Sequence, residues 1–332
     1  MQTPLTIALV NNAPDSGMPA TARHFCKALH EGANGKFDLR IDHFTCRDPG
    51  RVEGLGVPEG TAYAGIDDLF MAHVDGVVVT GMEPQAGAIQ DEPLWPSLTR
   101  VVDWAAENQV PVIWSCLAAH AAVYHLSGIS RRRLPSKLSG VFACEAVLAD
   151  DPVLTGLPER WRSPHSRHND LPDTALHDNA YQILSCSAEA GVDLFAYRIG
   201  VNFLFCQGHP EYDGETLIRE YRRDLRRFLL RESLHHPVIP RYYLDARTEA
   251  ALEDLREAAT QGHDGNIILQ SVSRVIQQVQ FLAPWQRVAT ALYANWLCQI
   301  AGTGRRPRQE MKVRPVHGMH YEPRQAETVL VR

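Results

Sequence analysis

Three short runs constrain this chain most: "LTIALVN" at residues 5 to 11, "VDGVVVTG" at 74 to 81 and "VPVIWSC" at 110 to 116. Each is apolar without alternation, the pattern of a strand buried on both faces. Each is followed, after a turn or loop, by a segment with helical spacing. "NNAPDSG" leads into "MPATARHFCKALHEG", which closes on Gly32; "WPSLTRVVDWAAENQ" is amphipathic; "LAAHAAVYHLSG" ends at Gly128 as its cap. "FDLRIDHFT" (37 to 45) alternates with period two and adds a further strand. Strands of this kind alternating with helices predict an α/β fold with a mostly parallel sheet flanked by helices.

From about residue 140 the pattern turns hairpin-like, in "GVFACEAVLA", "AYQILSCSA", "LFAYRIG" and "VNFLFCQGHPEY". A long charged helix, "GETLIREYRRDLRRFLLRES", follows. The two prolines of "LHHPVIPRYYLD" (234 to 245) predict an extended crossing. "ARTEAALEDLREAATQG" and "PWQRVATALYANWLCQIAG" read as helices, and the segment after "GTGRRPRQEMKVRP" has no periodicity. These divisions predict a core over 1–232, a helical extension over 233–310 packed on it, and an irregular tail over 311–332. The sequence has no internal repeat and no GxGxxG or GxxxxGK[ST] loop, so nothing in it supports a Rossmann or P-loop nucleotide site.

A formal net charge of -6 on 332 residues argues against nucleic acid or an anionic membrane surface as the main partner. No apolar run approaches the roughly 18 residues that span a bilayer, and the start of the chain has no basic leader, so the expected location is the cytoplasm. The seven cysteines are scattered, odd in number and without a C-x-x-C pair, which fits reduced thiols better than disulfides or zinc. Histidines cluster in "SPHSRHND", "HH" and "VHGMHY" without the spacing and carboxylates of a metal site, so no metal is expected.

Cys116 is the cysteine in an unusual place. It stands where "VPVIW" gives way to a helix, at the carboxyl edge where open parallel sheets bind ligands. A helix N-terminus favours an anionic thiolate and offers free N–H groups to an oxyanion, as nucleophilic catalysis requires. Taken alone, the stretch fits a small core filler more often than a nucleophile. "FCQGHPEYD" (205 to 213) supplies the complement. Residues i and i+2 of extended chain project to one side, so Glu211 can fix the tautomer of His209. Cys116, His209 and Glu211 together have the composition of a nucleophile, a base and an orienter. Alone, a histidine before proline is more often a turn residue.

Together "VVVTGMEP", "WSCLAAHAA", "KLSGVF", "PHSRHND" and "GHPEYD…RRD", from about Val74 to Asp224, resemble the homoserine O-succinyltransferase family. The resemblance implies a class I glutamine amidotransferase-like fold, a flavodoxin-like three-layer sandwich with a helical C-terminal extension. It implies O-acyl transfer to homoserine or a similar amino acid, in methionine biosynthesis, from succinyl-CoA or acetyl-CoA as co-substrate, with no bound cofactor. Cys116 matches the nucleophile, His209 the base and Glu211 its carboxylate partner. Lys137, Ser166 and Arg223 match substrate-binding positions, and a guanidinium at 223 suits the amino acid's carboxylate. Without the family, Arg223 reads as a solvated helix charge beside Arg219, Arg222, Arg226 and Arg227. The backbone N–H groups of Leu117 and Met82 are the expected oxyanion donors, with Gly81 allowing the close turn.

The chain also departs from the family. "TGMEP" stands for the usual "TGAP", which puts Glu83 where a proline is usual. The position tied to acyl choice is Gln85, which does not repel a succinyl carboxylate as glutamate would and so leans to succinyl. The turn "NNAPDSG" lacks the family's lysine. Family members are typically dimers, so a homodimer is implied. Two other readings use the same residues: an amidotransferase-like hydrolase, a glutaminase or peptidase with the same triad, and a metabolite-binding protein without activity.

Overall fold

Residues 4–14, 16–48 and 62–302 are described by the computed structural model. The three apolar runs become β1 (Leu5–Val10), β4 (Gly76–Val79) and β5 (Val112–Ser115). The alternating segment becomes β2 (Leu39–Thr45), beside the two-residue β3 (Ala64–Gly65). The later strands are β6 (Arg132–Ala146), β7 (Arg160–Asp170), β8 (Gln182–Ser187), β9 (Gly191–Tyr197) and β10 (Phe203–Cys206). They form one ten-stranded sheet in the order β3-β2-β1-β4-β5-β10-β9-β8-β6-β7. The five pairings from β3 to β10 are parallel and the four from β10 to β7 antiparallel.

Both faces of the parallel half are covered, which is why its strands are apolar without alternation. Ile7, Leu9, Val78, Ile113 and Leu204 pack beneath α1 (Met18–Ala33) and α9 (Gln286–Gly302), through Phe25, Leu29, Tyr293 and Trp296. Ala8, Val10, Val77, Val79, Val112 and Trp114 point the other way. They meet α3 (Trp95–Glu107) and α4 (Leu117–Ser127), with α2 (Ile66–Met71) at the edge. The α/β fold with a sheet flanked by helices is therefore the one that the sequence predicts.

The register matters for function. Val10 is level with Val79, Val79 with Trp114, and Ser115 with Cys206. The turns after β1, β4, β5 and β10 therefore emerge side by side at one sheet edge.

The segment after the core does two things. α6 (Thr216–Leu229), α7 (Ala246–Thr260) and α8 (Gly265–Ile276) share a separate apolar cluster around Tyr221, Leu225, Leu252 and Val272. α9 then returns to the sheet beside α1. A short α5 (Asp173–Asp178) precedes β8. The crossing at 234 to 245 runs against β6, where Gly140 pairs with Arg241 and leaves no room for a side chain.

Three local readings change. α1 continues through Gly32 to Ala33, and Asn34 caps it in the left-handed region, φ 41. Gly32 is there because a Cβ would lie 2.8 Å from the backbone N of Ala294 on α9. "PHSRHND" lies on β7, and α8 is a helix that the sequence reading did not mark. The expected irregular tail over 311–332 lies outside the described residues.

Candidate active site

Cys116 occupies the single residue between β5 and α4, with φ 51 and ψ -115. A non-glycine residue there is strained by on the order of 1–3 kcal/mol and persists only where its surroundings hold it. They do. Its N–H donates to the carbonyl of Cys206 on β10 at 2.8 Å, and its carbonyl accepts from the N–H of His120 at 3.3 Å. The conformation is that of a sharp strand-to-helix elbow, which lifts the thiol out of the sheet edge and leaves the first N–H groups of α4 beside it.

The turn after β4 closes over this elbow. Thr80 is pinned between backbone groups, donating its N–H to Val10 at 2.9 Å and accepting from the N–H of Asn12 at 2.8 Å. Gly81 follows, and a Cβ there would lie 2.9 Å from the Cβ of Cys116. Met82 and Leu117, the expected oxyanion donors, are buried and both line the cleft over the thiol.

His209 arrives from β10 on the neighbouring turn. Gly208 permits the approach: a side chain at that position would collide with Asp193 and Ser163. The N–H of His209 donates to Pro164 at 2.7 Å, and Nδ1 meets Glu211 Oε1 at 2.8 Å. That contact fixes Nδ1 as the donor and leaves Nε2 free to serve the thiol. The ring stacks on Tyr212, with centroids 4.2 Å apart. Burial opposes charge on the imidazole, but Glu211 and Cys116 outweigh it and hold His209 well above the ordinary histidine value.

The substrate-binding residues of the resemblance lie across the same cleft. Lys137 Nζ donates to Asp224 Oδ2 at 2.9 Å and to Glu220 Oε2 at 3.2 Å, and the Ser166 hydroxyl donates to the same Glu220 oxygen. Tyr212 donates to the other oxygen, Oε1, at 2.7 Å. Burial raises the Glu220 carboxyl, yet Lys137, Arg223, Ser166 and Tyr212 bring it down to about 2. Arg223 donates through Nε to Asp224 Oδ1 at 2.8 Å and keeps its outer face open to the cleft.

These groups wall a cleft of about 330 Å³ that holds Cys116, His209, Glu211, Lys137, Ser166 and Arg223 together. The lysine-free turn forms part of another wall through Ala13, Pro14, Ser16 and Gly17. Glu83 faces the cleft and pairs with Arg227. Gln85 does not line it; its side chain is exposed and its N–H donates to Glu92 Oε2 at 2.9 Å. Sequence reasoning passed over Tyr212, Glu220, Thr80 and His120. All four lie inside the quoted stretches "GHPEYD", "GETLIREYRRDLRRFLLRES", "VVVTGMEP" and "WSCLAAHAA", but none carries a local signal that separates it from packing or surface residues.

Behind Gly208 lies a buried group that could hold a metal ion: the ligand atoms of Cys144, His165 and Asp193 fall within 4.8 Å of one another. Asp193 already accepts from Ser163 at 2.9 Å and Ser185 at 3.1 Å, and none of the three lines the cleft.

The model of the homoserine O-succinyltransferase family matches residues 2–303. The chain belongs to the homoserine O-succinyltransferase family. A homoserine O-succinyltransferase from Rhodopseudomonas palustris is 42% identical over 297 residues, covering 90% of this chain and 88% of that one. One from Methylorubrum extorquens is 41% identical over 311 residues, covering 91% and 88%. Among solved structures, a glutamine amidotransferase from Methylobacillus flagellatus is 14% identical, covers 97% of this chain and 100% of its own, and has a TM-score of 0.49. Among the described residues, no helix is long and apolar enough to cross a membrane.

Proposed function

We propose that this chain is an O-acyltransferase that moves a succinyl group from succinyl-CoA to the hydroxyl of homoserine through a thioester on Cys116. One observation carries the reading: in a homoserine O-succinyltransferase family chain, Cys116 sits on a strained elbow facing a histidine whose tautomer Glu211 fixes.

In the first half, His209 takes the proton of the Cys116 thiol, and the resulting thiolate attacks the thioester carbonyl, whose π electrons move to oxygen. The backbone N–H groups of Leu117 and Met82 stabilise that oxyanion. Collapse expels the CoA thiolate, which is protonated by the imidazolium of His209. In the second half, neutral His209 takes the proton of the homoserine hydroxyl as its oxygen attacks the acyl carbon. The second oxyanion collapses and releases Cys116 as the leaving group. Arg223 binds the amino acid's carboxylate, while Lys137, Ser166 and Glu220 form the polar wall for its remaining groups. Water competes for the same thioester, so enclosing the acyl-enzyme matters as much as activating it.

Glu83 and the lysine-free turn line the cleft and are the places where donor choice can be set, whereas Gln85 lies outside it and sets no donor preference in this arrangement.

The test is intact-mass measurement after mixing with each acyl-CoA, followed by homoserine or serine. A succinyl adduct that Cys116→Ser abolishes and homoserine discharges supports the proposal. An acetyl adduct alone, or discharge by serine alone, corrects the donor or acceptor. Release of ammonia from glutamine with no adduct from either donor identifies a hydrolase instead.

A further inference from the structure

α6 carries arginines at 219, 222, 223 and 226, the i, i+3, i+4, i+7 spacing that puts four side chains on one helix face. That face is one wall of a second groove, and α8 forms the other through Asn266, Leu269 and Ser273. The groove adjoins the cleft over Cys116, because Arg219 and Arg223 line both.

The four arginines are not equivalent. Arg219 is held by Asp213 and Glu215, and Arg223 by Asp224. Arg222 reaches only the Ser273 hydroxyl at 3.3 Å, and neither Arg222 nor Arg226 has an acidic partner among the described residues. Arg222 and Arg226 both line the groove, so their unpaired guanidinium groups are available to an anion there. Forked guanidinium donors facing a groove select phosphate oxygens. Arg226 lies seven residues beyond Arg219, about 10 Å along the helix axis. An anion there cannot touch the reacting carbonyl, so it belongs to a ligand whose charged end is joined to the cleft by an arm.

We infer that the α6–α8 groove binds the phosphates of the acyl-CoA donor, with Arg222 and Arg226 as the principal contacts to its phosphorylated nucleotide end. The pantetheine arm then runs past Arg219 and Arg223 into the cleft, where it presents the thioester to Cys116. The inference rests on the acyl-CoA reading of the cleft. It also accounts for two arginines that neither the triad nor the polar wall uses.

The experiment compares two acyl donors, the acyl-CoA that the parent chain consumes and the matching acyl-pantetheine, which has the same thioester and no phosphate. The double variant R222Q/R226Q removes the two free charges and disturbs no buried contact. Its KM for acyl-CoA is expected to rise at least about tenfold, since each lost charged hydrogen bond is worth roughly 1.5–3 kcal/mol. Its KM for acyl-pantetheine is expected to match the parent's. The parent's preference for acyl-CoA over acyl-pantetheine should also weaken as salt rises. A double variant with the parent's KM for acyl-CoA overturns the inference and leaves the acyltransferase reading standing. A parent that is acylated by neither thioester overturns that reading, and the inference falls with it.

Discussion

The Cβ that alanine would add at Gly81 would lie 2.9 Å from the Cβ of Cys116, and the same carbon would sit 3.2 Å from the backbone N of Leu117. The glycine is therefore what lets the turn after β4 close over the elbow without covering the Leu117 N–H, the proposed oxyanion donor. In Gly81→Ala, either the turn or the elbow must shift by tenths of an ångström. Acylation of Cys116 is expected to slow by on the order of 10²-fold or more, the loss found when one oxyanion donor is removed. Rapid-mixing measurement of CoA release checks it, with a urea melt to show that the variant is folded. A folded variant with the parent's burst rate would remove the Met82–Leu117 pair from the mechanism.

The Glu211–His209 contact gives the activity a pH dependence with a definite sign. Burial lowers the His209 pKa, while Glu211 and Cys116 raise it further than burial lowers it. In the proposed acyl-enzyme the Cys116 sulfur is an uncharged thioester, and Glu211 is the main upward influence that remains. Acyl transfer to the hydroxyl needs neutral His209, so its rate climbs as pH rises through that raised value. Glu211→Gln should move the climb to lower pH and cut the plateau by about 10²–10⁴-fold. The stability effect runs the other way. A raised pKa contributes fully below about 6.5 and is lost as pH rises through the folded value. The parent's margin over Glu211→Gln in urea should therefore shrink as pH rises above about 6.5. A single-turnover pH profile decides the kinetic half, and an unmoved climb would mean that Glu211 does not set the titration.

What the sequence disclosed follows the range of each physical signal. β1, β4, β5, α3 and α4 were legible because an unbroken apolar run, a helical period and a capping Gly128 are all local. So were Cys116 and "GHPE", once each had the other as context. Gly32 misled because the contact that requires glycine is with Tyr293 and Ala294, more than 250 residues away. β7 hid because its polar residues line the cleft and the buried network about Asp193, so it lacks apolar alternation. Glu220 sits among arginines and reads as a solvated charge; only folding puts Lys137 and Ser166 against it. α8 did carry a signal, Ile268, Val272 and Ile276 at four-residue spacing behind Asp264 as its cap, and that signal went unread.

Glu220 joins the polar wall to the triad, since it binds Lys137 and Ser166 on one oxygen and Tyr212, the platform beneath His209, on the other. Glu220→Gln keeps the shape and removes the charge. The expected result is a KM for homoserine raised by about tenfold or more, with a smaller change in the acylation rate. A purely structural role would lower stability and leave that ratio alone. The linkage has the carboxylate sign: a carboxyl held at about 2 contributes stability above its ordinary value of 4.5 and loses it as pH falls through the folded one. The parent's margin over Glu220→Gln in urea should therefore narrow as pH drops from about 5 towards 3, and a margin that widens would reverse the assignment.

The contact between α1 and α9 decides how the C-terminal extension is held to the sheet. At Gly32 an added methyl would meet backbone N of Ala294 at 2.8 Å and Cβ of Tyr293 at 2.9 Å. Helix propensity favours Gly32→Ala by about 1 kcal/mol, whereas overpacking costs roughly 1–3 kcal/mol. The obstructing atoms belong mostly to a helix backbone that cannot rotate aside, so the packing loss wins. A net destabilisation of up to about 2 kcal/mol is expected, a fall of a few degrees in Tm for a chain of this size. Gly32 lies beyond the part of α1 that reaches the cleft through Thr21 and His24. The kcat at low temperature should therefore stay within about twofold of the parent, well inside the loss of one catalytic contact. Calorimetry and a steady-state assay test both halves. A Tm that rises would mean propensity alone acts at this position, and that α9 does not press on α1 as closely as the glycine implies.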